Sequence, residues 1–176
     1  MFRSSLKSIR SFHSTIPRFV KVGDSIPSIS LAFQSPGNSI DLSKELASGK
    51  SVIIGVPGAF SPGCTQSHLP GYFSKIKEFG AKGYEKFIVV AVNDAFVMNS
   101  WSETFGDLPE VKFVADASGD FVTALDLKFD ASKFFGNERA KRFALLVEDG
   151  AVKGSFVEPD NTSVDVSAAD KVLPEA

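Results

Sequence analysis

Two stretches of the sequence, Val52-Ile53-Ile54-Gly55-Val56 and Phe87-Ile88-Val89-Val90-Ala91-Val92, carry no polar side chain. Each is far shorter than the roughly 20 apolar residues that a membrane span needs. Each is also too uniformly apolar for a strand with one wet face, which would alternate. Short β-branched runs of this kind read as strands buried on both faces, here over residues 51–56 and 87–92. Such strands require helices on both sides of the sheet, and the intervening sequence supplies them. Residues 64–80 place Leu69, Tyr72, Phe73, Ile76 and Phe79 on one helical face, with a kink predicted at Pro70-Gly71. Asn93-Asp94 signals the start of a helix running to Phe105. A third strand follows over residues 111–115, and Asp116-Ala117-Ser118-Gly119 leads into a helix ending near Leu125. Runs 142–147 and 151–157 flank Glu148-Asp149-Gly150, a hairpin signal. Upstream, residues 29–33 read as a short strand, 35–38 as a turn, and 41–47 as a short helix ended by Gly49. The expected fold is α/β, a mixed central β-sheet flanked by helices on both faces.

With 176 residues, 43% of them apolar, the chain suffices for one globular domain. A formal net charge of −2 and the lack of a basic stripe argue against a nucleic-acid partner, and no run is long enough for membrane insertion. The charge is nevertheless uneven. Residues 1–23 contain no acid but include Arg3, Lys7, Arg10, Arg18 and Lys21, interspersed with serines, while Phe2, Leu6, Ile9, Phe12 and Ile16 recur at helical spacing. This is the composition of a mitochondrial transit peptide. It predicts a leader over residues 1–20, cut after Phe12, a folded domain over 21–176, and a location in the mitochondrial matrix. The competing reading is a basic tail with no address.

Cys64 is the only cysteine, which excludes an intrachain disulfide framework and points to a reducing compartment. It follows the loop Pro57-Gly58-Ala59-Phe60-Ser61-Pro62-Gly63 and opens a predicted helix. The helix start offers spare N–H groups and partial positive charge, Ser61 offers a hydroxyl, and a cation from elsewhere could complete the stabilisation of a thiolate. Pro57 and Pro62 stiffen the loop. A buried, inert cysteine is the bland alternative, but the polar Pro/Gly setting argues for reactivity.

Several thiol chemistries can be separated on residue types. A dithiol of the C-x-x-C kind fails because position 67 is Ser67. A hydrolase needs a histidine base. His13 lies in the leader, and His68, one turn after Cys64 on the same helix, is poorly directed for that role and reads as structural. A Cys64/His68 metal pair lacks further ligands at recognisable spacing. What remains is redox chemistry by one thiolate, attack on a peroxide oxygen to give a sulfenic acid.

The stretch VPGAFSPGCTQSHLPGY resembles the peroxiredoxin active-site pattern P-x-x-x-(T/S)-x-x-C, and specifically that of the type II, peroxiredoxin-five-like subfamily. KVGDSIP, VNDAFV, Trp101, FVAD and FGNERAKRFALLVEDGAVK extend the resemblance over nearly the whole chain after the leader. The resemblance implies a thioredoxin-like fold and thiol-dependent reduction of hydrogen peroxide, organic hydroperoxides and peroxynitrite, in antioxidant defence and cell redox homeostasis. It implies that Cys64 is the peroxidatic cysteine, that Ser61 stands where threonine is usual, that Pro57 shields the pocket, and that Arg142 is the active-site arginine. Arg139 matches a further position near the pocket. The N–H groups of Gly63 and Cys64 would bind the peroxide with Ser61 and Arg142, aimed where charge develops. Many type II members hold a resolving cysteine after the hairpin, whereas residues 157–166 contain none. An external thiol is therefore required, through glutathione and glutaredoxin or thioredoxin, with no bound cofactor. A homodimer is implied. A peroxide-sensing thiol-transfer protein and a non-catalytic holdase are the alternatives from other classes.

Overall fold

The computed structural model describes residues 19–176. A seven-stranded mixed sheet runs in the order β2-β1-β5-β4-β3-β8-β9. The two wholly apolar runs form β3 (Lys50–Gly55) and β4 (Tyr84–Ala91), paired in parallel at its centre. Strand β5 (Val111–Ala115) pairs in parallel with β4, and β8 (Phe143–Glu148) pairs antiparallel with β3. The expected hairpin joins β8 to β9 (Ala151–Val157) through Asp149 and Gly150, both at positive φ. Both faces of the centre are buried, as the absence of alternation requires. Val52, Ile54, Phe87 and Val89 belong to one core, and Ile53, Ile88 and Val90 to the other.

The first core lies under α2 (Leu69–Phe73), α3 (Ile76–Ala81), α4 (Ala95–Glu103) and α7 (Ala169–Val172). The predicted apolar face is in place, with Leu69, Tyr72 and Phe79 fully buried. Tyr72 stacks on Phe79, whose ring meets Phe87 edge-on. The second core packs Phe121 and Val122 of α5 (Asp120–Ala124) and Leu42 at the head of α1 (Leu42–Glu45). Asp41 caps α1 by accepting from Ser43 N at 3.0 Å, and Asp94 caps α4 by accepting from Val97 N at 2.9 Å.

Three local features depart from the expectation. Residues 35–38 are not a turn but the start of β2 (Ser35–Asp41), antiparallel to β1 (Ser30–Phe33); the reversal is made by Gln34 at φ 63°. Pro36 is tolerated because β2 is an edge strand. The long helix after Cys64 is not one rod kinked at Pro70. It begins as a π-helical turn, Gly63–His68, continues as α2, and breaks before α3. The π turn bonds Leu69 N–H to Cys64 O, so the switch back to α-helical spacing falls where Pro70 has no N–H to give. Finally, β6 (Lys128–Asp130), α6 (Ser132–Phe135) and β7 (Glu138–Ala140) form a small excursion with its own two-stranded sheet.

Residues 1–18, where most of the expected leader lies, are outside the described region. Val20 is buried in the second core, and its N–H donates to Leu125 O at 3.0 Å. Among the described residues no helix is long and apolar enough to cross a membrane.

Candidate active site

Strand β3 ends at Gly55, where nothing larger fits: a Cβ there would lie 2.0 Å from the Phe143 ring. The chain then leaves the end of this central strand through buried Pro57 and Gly58. Ala59 N–H donates to Asn93 Oδ1 at 3.0 Å, tying the loop to the end of β4. Arg139 supports that end from the other side, donating to Val92 O at 2.8 Å while its guanidinium lies 5.0 Å from the Phe135 ring. It is thus a scaffold contact and not the solvated cation that charge alone suggests. Phe60 turns the loop at φ 61°, and Ser61-Pro62 leads into the π turn.

Cys64 sits in the first turn of that helix with no exposed surface. Gly63 and Cys64 own the N–H groups that a helix start leaves without an intrahelical acceptor. Ser61 Oγ lies 2.9 Å from Cys64 Sγ and 3.0 Å from Gly58 O. A hydroxyl has one proton to give. It donates to a thiolate, or it donates to Gly58 O while accepting from the protonated thiol.

Arg142 arrives from the residue before β8, 78 positions away in sequence, and is buried. Its Nη1 donates to Cys64 Sγ at 3.4 Å, and Nε donates to Thr162 O at 2.9 Å. Its backbone is held on both sides: Arg142 N–H donates to Asn161 O at 2.8 Å, and Arg142 O accepts from Glu158 N–H at 3.0 Å. The Nη2 edge lies against Gly63, where a Cβ would come within 3.0 Å. Glycine at 63 therefore makes room for the arginine.

The structure thus gathers Ser61, Gly63, Cys64 and Arg142 around one sulfur, with Pro57 buried in the loop behind. It also brings in Trp101, which the resemblance included, His68, which the sequence reads as structural, and Glu158 and Ser167, which the sequence did not single out. Trp101 Nε1–H donates to Thr65 Oγ1 at 3.1 Å, fastening the π turn to α4. His68 is buried with Nδ1 3.3 Å from Arg142 Nη1 and Nε2 3.0 Å from Ser167 O. Burial, and then the Arg142 charge, push its pKa down to about 4, so the ring is neutral at pH 7. Glu158 is buried, and its Oε1 accepts from Ser167 N at 2.9 Å, Ser167 Oγ at 2.7 Å and Asp165 N at 2.8 Å. Desolvation raises the Glu158 pKa, but these bonds outweigh it and leave the carboxyl below its ordinary value. The only sequence signal for His68, Glu158 and Ser167 was a Cys/His pair four residues apart. Among the described residues no group of three or more His, Cys, Asp or Glu side chains could hold a metal ion.

Residues 21–173 match the redoxin family. The chain is 45% identical over 156 residues, 88% of its length and 97% of the relative's, to "Peroxisomal membrane associated protein 20" of Schizosaccharomyces pombe. It is 39% identical to Peroxiredoxin-2B of Arabidopsis thaliana over 88% of this chain and 96% of that protein. Among solved structures, peroxiredoxin 5 from Alvinella pompejana superposes with a TM-score of 0.79 at 33% identity, covering 89% of this chain and 97% of that one. Sequence relatives, the thioredoxin-like fold and a lone buried thiol between a hydroxyl and a guanidinium lead to one assignment: the chain is a peroxiredoxin of the type II, peroxiredoxin-five-like kind, a one-cysteine thiol-dependent peroxidase.

Proposed function

We propose that the protein reduces hydrogen peroxide and organic hydroperoxides through a sulfenic acid on Cys64 that an external thiol resolves. One observation carries this reading: the chain's only thiol is buried within hydrogen-bond reach of both Ser61 and Arg142. The Cys64 thiolate attacks the distal peroxide oxygen, an S–O bond forms, the O–O bond breaks, and the leaving oxygen departs as hydroxide or alkoxide and takes a proton. Negative charge moves from sulfur to the leaving oxygen. Arg142, the Ser61 hydroxyl and the Gly63 and Cys64 N–H groups follow it, and their fixed placement is what lowers the barrier. Pro57 closes the loop side of the pocket. A first external thiol then condenses with the sulfenic acid, releasing water and leaving a mixed disulfide; a second releases Cys64 as the thiol. Glutathione with glutaredoxin is the favoured reductant, and thioredoxin is the alternative.

The leader-like composition of the N-terminal residues supports a mitochondrial destination with cleavage after Phe12, the folded domain over 21–176 taking in Val20 as well; a relative's name places that protein at the peroxisome. Exposed Phe60, Phe96 and Phe134 stand on segments that meet around the active-site loop, since Ala59 bonds Asn93 and Gly58 abuts Phe135. Such a face suits a homodimer. The test is direct. One equivalent of hydrogen peroxide converts Cys64 to sulfenic acid, trapped by dimedone and located by mass spectrometry. Turnover requires added thiol, and Cys64→Ser abolishes both. Peroxidase activity in Cys64→Ser, or turnover without a thiol, would refute the reading.

A further inference from the structure

Arg142 Nη1 has two neighbours, Cys64 Sγ at 3.4 Å and His68 Nδ1 at 3.3 Å. A guanidinium nitrogen only donates, so His68 Nδ1 must present a lone pair. The ring proton is then on Nε2, which donates to Ser167 O at 3.0 Å. That carbonyl is itself placed by Tyr72 OH, which donates to it at 2.7 Å, and by the grip of Glu158 on Ser167. Glu158 in turn is anchored through its N–H to Arg142 O. The bonds close a circuit from the Arg142 backbone through Glu158, Ser167 and His68 to the Arg142 guanidinium.

We propose that His68, as the neutral Nε2–H tautomer, is the positioning residue that aims Arg142 at the Cys64 sulfur. The two N–H bonds of Nη1 diverge at a fixed angle, so fixing one on Nδ1 directs the other to Sγ. Thr162 O holds the near end of the fork at Nε and Gly63 leaves its Nη2 edge free to approach. A ring that merely filled space would leave the second N–H of Nη1 without an acceptor and Thr162 O alone to hold the fork. A protonated ring could not accept, and would repel Arg142. The assignment rests on the proposed action of Arg142 on the reacting sulfur and peroxide.

The test uses the full chain with His68→Asn, His68→Gln and His68→Phe, alongside Arg142→Lys. Two rates are measured for Cys64: oxidation by hydrogen peroxide and alkylation by iodoacetamide. Asn carries Oδ1 as many bonds from Cβ as Nδ1, so it restores the acceptor. Gln reproduces only Nε2, and Phe neither. The Gln and Phe variants should oxidise about 10- to 100-fold more slowly, and Asn should recover most of that loss. Alkylation, which needs a thiolate but no aimed cation, should fall less, so the ratio of the two rates drops. If Asn is no better than Gln, or if the rates follow only the unfolding midpoints, the assignment is overturned. If Arg142→Lys keeps the full peroxide rate, the role of Arg142 fails instead. Should a variant not fold, ¹⁵N NMR of the parent at pH 7 decides: a bare Nδ1 and protonated Nε2 are expected, and the opposite tautomer or an imidazolium refutes it.

Discussion

Substituting Gly63 by alanine should slow the peroxide reaction without weakening the fold. The added Cβ would stand 3.0 Å from Arg142 Nη2, and ordinary contact begins near 3.4 Å, so the guanidinium edge must retreat by about 0.4 Å. Gly63 is not at positive φ, and it lies at the first position of a helix, where alanine is favoured over glycine by up to ~1 kcal/mol. That gain offsets the cost of moving a side-chain tip. The expected stability change is within about 1 kcal/mol of the parent. The rate has no such compensation. Misplacement by ~1 Å can cost 10²-fold, so a retreat under half that size corresponds to roughly tenfold, or about 1.4 kcal/mol of barrier. Trp101 is the only tryptophan and its ring nitrogen bonds Thr65, the residue after Cys64. Its fluorescence in stopped flow therefore follows oxidation directly, and urea unfolding supplies the stability. An alanine variant that oxidises at the parent's rate with unchanged stability would show that the Arg142 fork is not used in the position seen.

Other perturbations separate neighbouring contributions. Ser61→Ala removes the hydroxyl 2.9 Å from Sγ and should lower the oxidation rate by about 10²-fold, while Ser61→Thr, which keeps it, retains the rate in the same assay. Gly55→Ala forces a methyl into the Phe143 ring and should destabilise by at least ~1–3 kcal/mol in urea unfolding. For His68, the folded pKa of about 4 lies below the ordinary 6.5. The unfolded chain thus binds more protons between these values, and stability falls as pH drops from 6.5 to about 4, then levels. The loss is up to about 3 kcal/mol, read from urea midpoints across pH, and His68→Asn should flatten that part of the profile.

The centre of the fold was legible because β3 and β4 are apolar on both faces, a pattern only a two-sided core explains. The capping Asp94 was equally readable, since its chemistry is local, while Asp41, read as the first residue of its helix, proves to be the cap. Strands β6 and β7 were not legible: they are three residues each, mostly charged, and pair only with one another. The π turn escaped because helical spacing was assumed at 3.6, and its cause, the missing N–H of Pro70, first reads as a kink. Cys64 and the Ser61 hydroxyl stood out from four residues of sequence. Arg142 could be placed only by resemblance, for nothing in its local sequence distinguishes a buried cation from Lys141 beside it, which lies over the Phe19 ring. Glu158 and Ser167 were silent for the same reason: their partners are set by a loop path and not by a periodic pattern.

The complete burial of Cys64 divides the catalytic cycle by molecular size. With no exposed surface at the sulfur, a peroxide needs only a small shift of the neighbouring side chains, whereas a tripeptide or a protein thiol needs a far larger opening. The second half of the cycle therefore requires the helix start to open, against the Trp101–Thr65 and His68–Ser167 bonds that pin it. Opening competes with a second peroxide, which would carry the closed sulfenic acid on to sulfinic acid. The strength of those pins thus sets a dose limit, the peroxide concentration above which the catalyst is consumed faster than it is recycled.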